Sequence, residues 1–202
     1  MNRIKILKYF AVLVAVLISG FIILTFLVHF LNPGLNVLSF PLSLYRYSSY
    51  GYLYTISLMM IGISEIILGY LVYPRFSKKS MAFSILLILM GISAIITGIF
   101  SMDIEPAPTV HGIIHNLAAG FQFFTFPAIS MIFGFSENKK NIRIINLILS
   151  ITAIFLLPFI SFTILSETPI VAPVYGLLQK IYISLIVIWL YIITYSITYH
   201  KY

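Results

Sequence analysis

The sequence predicts an all-α polytopic membrane protein, a bundle of six transmembrane helices with both termini on the cytoplasmic side. Three observations carry that prediction. Charged side chains are 8% of the 202 residues, where a soluble domain carries about 25%. Hydrophobic residues make up 61% and mean hydropathy is +1.08, so a folded chain has too little polar surface to face water and takes lipid as its solvent. The apolar residues also fall into six runs, each near the roughly 20 residues that a membrane-spanning helix needs.

The first run, about 9–31, follows Asn2, Arg3, Lys5 and Lys8. This basic start has the charge of a signal peptide, but the apolar stretch exceeds the about 7 to 15 residues of a signal core and no A-x-A-like site follows, so a retained helix is expected. A loop with Asn32, Pro33, Gly34, Pro41 and Arg46 separates it from the second run, about 51–73. The third, about 81–100, follows a turn carrying Arg75, Lys78 and Lys79. The fourth, about 112–135, and the fifth, about 142–165, are divided by Glu137, Asn138, Lys139, Lys140 and Arg143. The sixth, about 176–199, leaves only His200, Lys201 and Tyr202. Strands of a membrane barrel would alternate over segments of about 10 residues, which these runs do not. Without a long polar linker, heptad array or internal repeat, residues 1–202 read as one membrane domain. Within it, Gly91, Ala94 and Gly98 form a small stripe suited to close helix contact, and Pro127 and Pro158 are expected kinks.

Orientation follows from the basic residues. With the N-terminus in the cytoplasm, ten of the 12 Lys and Arg face inward and only Arg46 and Lys180 face outward. Lysine and arginine in short loops resist translocation, so both termini belong inside and the protein belongs in the cell membrane as a multi-pass protein. The net charge of +7 is therefore a topology signal, and nucleic acid is not an expected partner, since the basic residues form no face on a soluble fold. Expected partners are membrane lipid and other membrane helices. The absence of cysteine excludes disulfides, thiolate metal sites and a cysteine nucleophile.

Chemistry, if present, concentrates in the loop from Ser101 to Val110 and the helix that follows. Asp103 and Glu105 precede His111 and His115, which stand four residues apart and project from one helix face. Gln122, seven residues beyond His115, extends that stripe. A polar stripe in a membrane helix faces the bundle or a water-filled cavity, because lipid offers it no partner. One reading is a metal or acid/base centre open to the outside, in which His111, His115 and a carboxylate from Asp103 or Glu105 hold Zn²⁺ with a position left for water. The other is structural: Asp103 and the histidines hydrogen-bond one another and tie the loop to the helix, with Asp103 favoured near the helix's positive end.

Glu65 lies inside the second run, where an ionised acid costs several kcal/mol, so it is expected to be neutral or paired; it reads either as a proton- or cation-handling group or as a hydrogen bond between helices. Lys180 at the outer end of the last run reads as a partner for Asp103 or Glu105, as an anchor for an anionic lipid headgroup, or as a side chain snorkelling to the interface.

The segment Gly98, Phe100, Asp103, His111, Gly112 and His115 resembles the G-x-F-x-x-D … H-G-x-x-H signature of the domain of unknown function 998 family of six-helix membrane proteins. Gly176, Lys180 and Trp189 resemble its G-x-x-x-R … W pattern, with lysine where arginine is usual, and Pro41, Leu42, Ser43, Tyr50 and Gly51 resemble its first extracellular segment. The resemblance implies a six-helix integral membrane protein without an established activity. The sequence thus leaves two classes of function. In one, an outward-facing pocket of Asp103, His111, His115 and Lys180, with Gln122 and Glu105 contacting the ligand, serves a structural, sensory, transport or assembly role. In the other, the same pocket is the active site of a metal-dependent hydrolase or transferase acting on a lipid at the outer leaflet.

Overall fold

The computed structural model describes residues 3–73, 78–104, 108–165 and 172–199. Among them, six helices are long and apolar enough to cross a membrane: α1 (Arg3–Leu31), α2 (Gly51–Val72), α3 (Lys78–Ile99), α4 (Val110–Ser136), α5 (Lys140–Leu165) and α6 (Tyr175–Tyr199). No strand occurs among the described residues. Each helix packs on its neighbours in the chain and α1 closes the ring against α6, the arrangement that short connections between antiparallel helices produce. The end of the bundle remote from the chain termini, called distal below, holds a 3₁₀ segment, Leu42–Tyr47, and the start of α4.

The core is aromatic where α3, α4 and α6 meet. Trp189 is fully buried and lies edge-on to Phe83 and Phe126, at ring separations of 6.3 and 5.5 Å. Large apolar side chains are also exposed, among them Phe26, Phe30, Leu117 and Phe155; in six helices of this composition they form the lipid-facing surface.

Two local features set the helix spacing. Gly62 and Gly91 face each other across α2 and α3, and a Cβ on either would strike the other's carbonyl oxygen. Absence of both side chains lets the two backbones touch, as small residues do in membrane interfaces. Pro127 acts differently. It has no N–H to give the carbonyl four residues earlier, that of Phe123, and the Tyr182 hydroxyl of α6 donates to that carbonyl instead at 2.5 Å. The break in the α4 ladder thereby becomes a link between α4 and α6.

Candidate functional site

At the distal end, α4 starts where Thr109 caps it: the Thr109 hydroxyl accepts from the Gly112 amide at 3.1 Å, satisfying one of the N–H groups that have no partner within the helix. The same hydroxyl donates to Asp103 Oδ1 at 2.5 Å, and the Thr109 amide donates to Oδ2 at 3.0 Å. A Cβ on Gly112 would fall on the Asp103 carboxylate, so glycine leaves room for the acid over the first turn of α4, where the helix dipole favours negative charge. The bonds from the Thr109 hydroxyl and amide hold the Asp103 carboxyl below the usual carboxylate range.

His115 is almost wholly buried, and its Nδ1 donates to the carbonyls of Phe100 at 2.8 Å and Thr97 at 3.2 Å. These are carbonyls at the end of α3. Arg46 reaches the same place, donating from Nη1 to the Gly98 carbonyl and, at 3.3 Å, to the Thr55 hydroxyl. Tyr47 donates to the Met102 carbonyl at 2.5 Å. The last turn of a helix carries unpartnered carbonyls and partial negative charge; His115 and Arg46 cover it, and Tyr47 takes up a carbonyl three residues beyond.

The expected contacts among Asp103, His111 and His115 are not the ones formed. None of the three hydrogen-bonds another: Asp103 is taken up by Thr109, His115 turns into α3, and His111 is exposed, its ring 5.2 Å from that of Phe100. Among the described residues no group of three His, Asp or Glu side chains could hold a metal ion. The expected zinc centre therefore lacks a convergent ligand set there, because the donors are directed to helix ends instead of to a common point. Glu105 lies outside the described residues.

Lys180 is not part of that group either. Its Nζ donates to the carbonyls of Phe40 at 2.6 Å, Val37 at 2.9 Å and Gly176 at 3.3 Å, and sits 5.4 Å from the Tyr45 ring centroid. Two neighbours bring the 32–47 loop to it. A Cβ on Gly176 would strike the Phe40 backbone, and buried Gln179 accepts from the Leu42 amide at 2.6 Å. The expected common pocket of Lys180 with the Asp/His block thus gives way to two separate groups, since Lys180 spends its three N–H donors on loop and helix carbonyls.

Beside Lys180 a cavity of about 330 Å³ opens between α1 and α6. Phe21, Leu42, Tyr45 and Val187 are its buried lining, and exposed Phe26 and Ile188 stand at its margin. Its polar lining is Thr25, Ser184, Lys180 and the pair His29 and Tyr45, the last two joined at 2.9 Å between Nδ1 and the phenol oxygen. Burial pushes the Tyr45 phenol above its ordinary value. His29 and Tyr45 were not singled out from the sequence, although a histidine inside an otherwise apolar run is a visible signal.

Glu65, completely buried in α2, has the partner that sequence could not name. It is Gln122 of α4, whose Nε2 donates to Glu65 Oε2 at 3.3 Å and to the Met90 carbonyl at 3.3 Å. Glu65 Oε1 is buried without a hydrogen bond. Gln122 therefore answers an acid on α2 instead of extending a site around His111. Glu137, read from sequence as loop charge, is also buried, accepting from Ser196 at 2.9 Å and from the Lys139 amide at 3.0 Å.

No curated protein and no solved structure matches the chain. A family model described as a protein of unknown function, DUF998, matches residues 10–196. With six helices able to span a membrane and a match over nearly its whole length, the chain belongs to the DUF998 family.

Proposed function

We propose that this protein is a lipid-recognition protein of the cell membrane, and that it takes an acyl chain of an anionic lipid into the cavity between α1 and α6. The cavity is the observation that carries this reading: about 330 Å³ in volume, it lies at the lower end of the sizes typical of small-molecule sites and has their character, apolar walls with a few polar groups at one place. From Phe21 to His29 it follows α1 for eight residues, about 12 Å at 1.5 Å per residue. The head end favours an anion. Lys180's bonds to carbonyls saturate its donors without cancelling its charge, and it makes no ion pair among the described residues. The bond to Tyr45 uses only Nδ1 of His29, which leaves Nε2 for a polar group of the lipid head. Asp103 is taken up by the cap of α4 and His115 fastens α4 to α3, which supports recognition over turnover as the role of this end of the bundle.

In this reading both termini face the cytoplasm, because ten of the 12 basic residues lie in segments that then stay inside. The lipid is accordingly drawn from the outer leaflet.

Native mass spectrometry of the detergent-solubilised protein, titrated with phosphatidylglycerol or phosphatidylcholine, tests the proposal. The anionic lipid should bind preferentially, Val187→Trp should abolish binding by filling the cavity, and Lys180→Gln should remove the preference for anionic lipid. Unchanged binding by a folded Val187→Trp variant would refute the proposal.

A further inference from the structure

We infer that Glu65 is a proton-binding site in the membrane interior, reached from the distal end along a polar seam made by Thr97, Ser93 and Gln122. The site is distinct from the lipid cavity, which lies between α1 and α6, and rests on none of the reasoning about it.

Glu65 lies in the interior of the helix bundle. It stands three residues after Gly62, at the place where α2 and α3 touch, and it is fully shielded. An ionised carboxylate can accept about four hydrogen bonds and donates none; this one receives a single N–H, from Gln122, while Oε1 receives none. The titratable side chains on neighbouring elements bond elsewhere: His29 with Tyr45, Arg46 with Gly98 and Thr55, His115 with the end of α3, Lys180 with loop carbonyls, Tyr182 with Phe123, and Tyr191 with Ser19. Lys5 and Lys8 of α1 are exposed. Among the described residues no cation is in place to balance a charge on Glu65, so the proton is the ligand that neutralises it. Binding is a simple balance: one H⁺ adds to the carboxylate, and the local charge goes from minus one to zero.

A route for that proton is built into α3 and α4. Thr97 donates to the Ser93 carbonyl at 2.8 Å, Ser93 to the Met90 carbonyl at 2.7 Å, and Gln122 bridges Met90 to Glu65. His115 closes the distal end of the row by bonding the Thr97 carbonyl. On α3 these positions recur at 90, 93 and 97, one helical stripe, and from Met90 to Phe100 they cover about 15 Å at 1.5 Å per residue. Both hydroxyls give their hydrogens to their own helix and keep oxygen lone pairs for water or a passing proton. Two buried hydroxyls in line with the amide that holds Glu65 Oε2, beside a second carboxyl oxygen without a partner, are the feature that proton entry needs.

Infrared spectroscopy of the full-length protein in lipid nanodiscs tests both parts. The chain has only 5 Asp and Glu, so carboxyl bands are few. At neutral pH a protonated-carboxyl C=O stretch should be present, lost in Glu65→Gln and kept in Glu137→Gln. On transfer to D₂O that band should shift as the proton exchanges. In Ser93→Ala/Thr97→Val the exchange should slow about tenfold, equivalent to about 1.4 kcal/mol in the barrier, with the band itself retained. Should the double variant fail to fold, Thr97→Val alone is read against the same rate. If Glu65→Gln removes no band, the proton site is refuted; if exchange keeps its native rate in the folded seam variant, the route is refuted.

Discussion

Replacing Tyr182 by Phe removes one oxygen from the centre of the bundle, and its effect can be derived from the neighbouring proline. Pro127 deprives the Phe123 carbonyl of its helical partner, and the Tyr182 hydroxyl supplies one at 2.5 Å in a fully buried setting. In Tyr182→Phe that carbonyl is left bare. Desolvating an unpaired buried polar group costs about 1–3 kcal/mol, and interhelical hydrogen bonds in membranes have measured values from about 0.6 to 2 kcal/mol, so a loss of about 1–2 kcal/mol is expected. In Pro127→Ala, residue 127 regains an N–H able to bond Phe123, and Tyr182→Phe should then cost about 1 kcal/mol less. A double-mutant cycle isolates this coupling, since any change in α4 caused by Pro127→Ala alone cancels. Reversible unfolding in mixed micelles, followed by Trp189 fluorescence and circular dichroism, measures the four stabilities. Equal costs of Tyr182→Phe with proline and with alanine at position 127 would refute the idea that Tyr182 compensates for the proline.

Thr109→Val should remove the cap of α4 and the hydroxyl's bond to Asp103 while the amide's bond remains, lowering stability by about 1 kcal/mol, as read by the same unfolding assay. Because Asp103's ionisation is favoured in the folded state, its contribution is present above the unfolded carboxyl value of about 3.9 and is lost as pH falls through the lower folded value. Wild type should show that acid-range loss and Asp103→Asn should not; parallel pH profiles would exclude the contribution. Reporter fusions after Lys140 and Pro108 should score as cytoplasmic and external respectively, and the opposite pattern would reverse the orientation and assign the lipid cavity to the inner leaflet.

How much of this was legible beforehand depends on the range of the interaction. Six apolar runs broken by prolines and charges are local, and a helix that satisfies its own backbone is the economical way for such runs to enter lipid. Membership of the family was equally legible, from Asp103, His111, Gly112 and His115, residues whose neighbours in the chain are their neighbours in space. The roles within that block were not. A spacing of four residues puts His111 and His115 on one face, yet the two lie 40° apart around a helix of 3.6 residues per turn, which is enough for His115 to enter the bundle while His111 stays at its rim.

Pairing across the bundle was beyond the sequence altogether. Nothing local to Glu65 names Gln122, 57 positions away, and nothing local to Lys180 tells whether its charge meets Asp103 or the carbonyls of Val37 and Phe40. Those choices depend on which helices touch and at what height. The sequence by itself determined that the chain is six membrane-spanning helices, because burial of apolar runs in lipid depends on composition over about 20 residues. Only the tertiary structure decided that Glu65 meets Gln122, that Tyr182 answers Pro127, and that a cavity opens between α1 and α6, because hydrogen bonds and voids are fixed by contacts a few ångströms long between residues far apart in the chain.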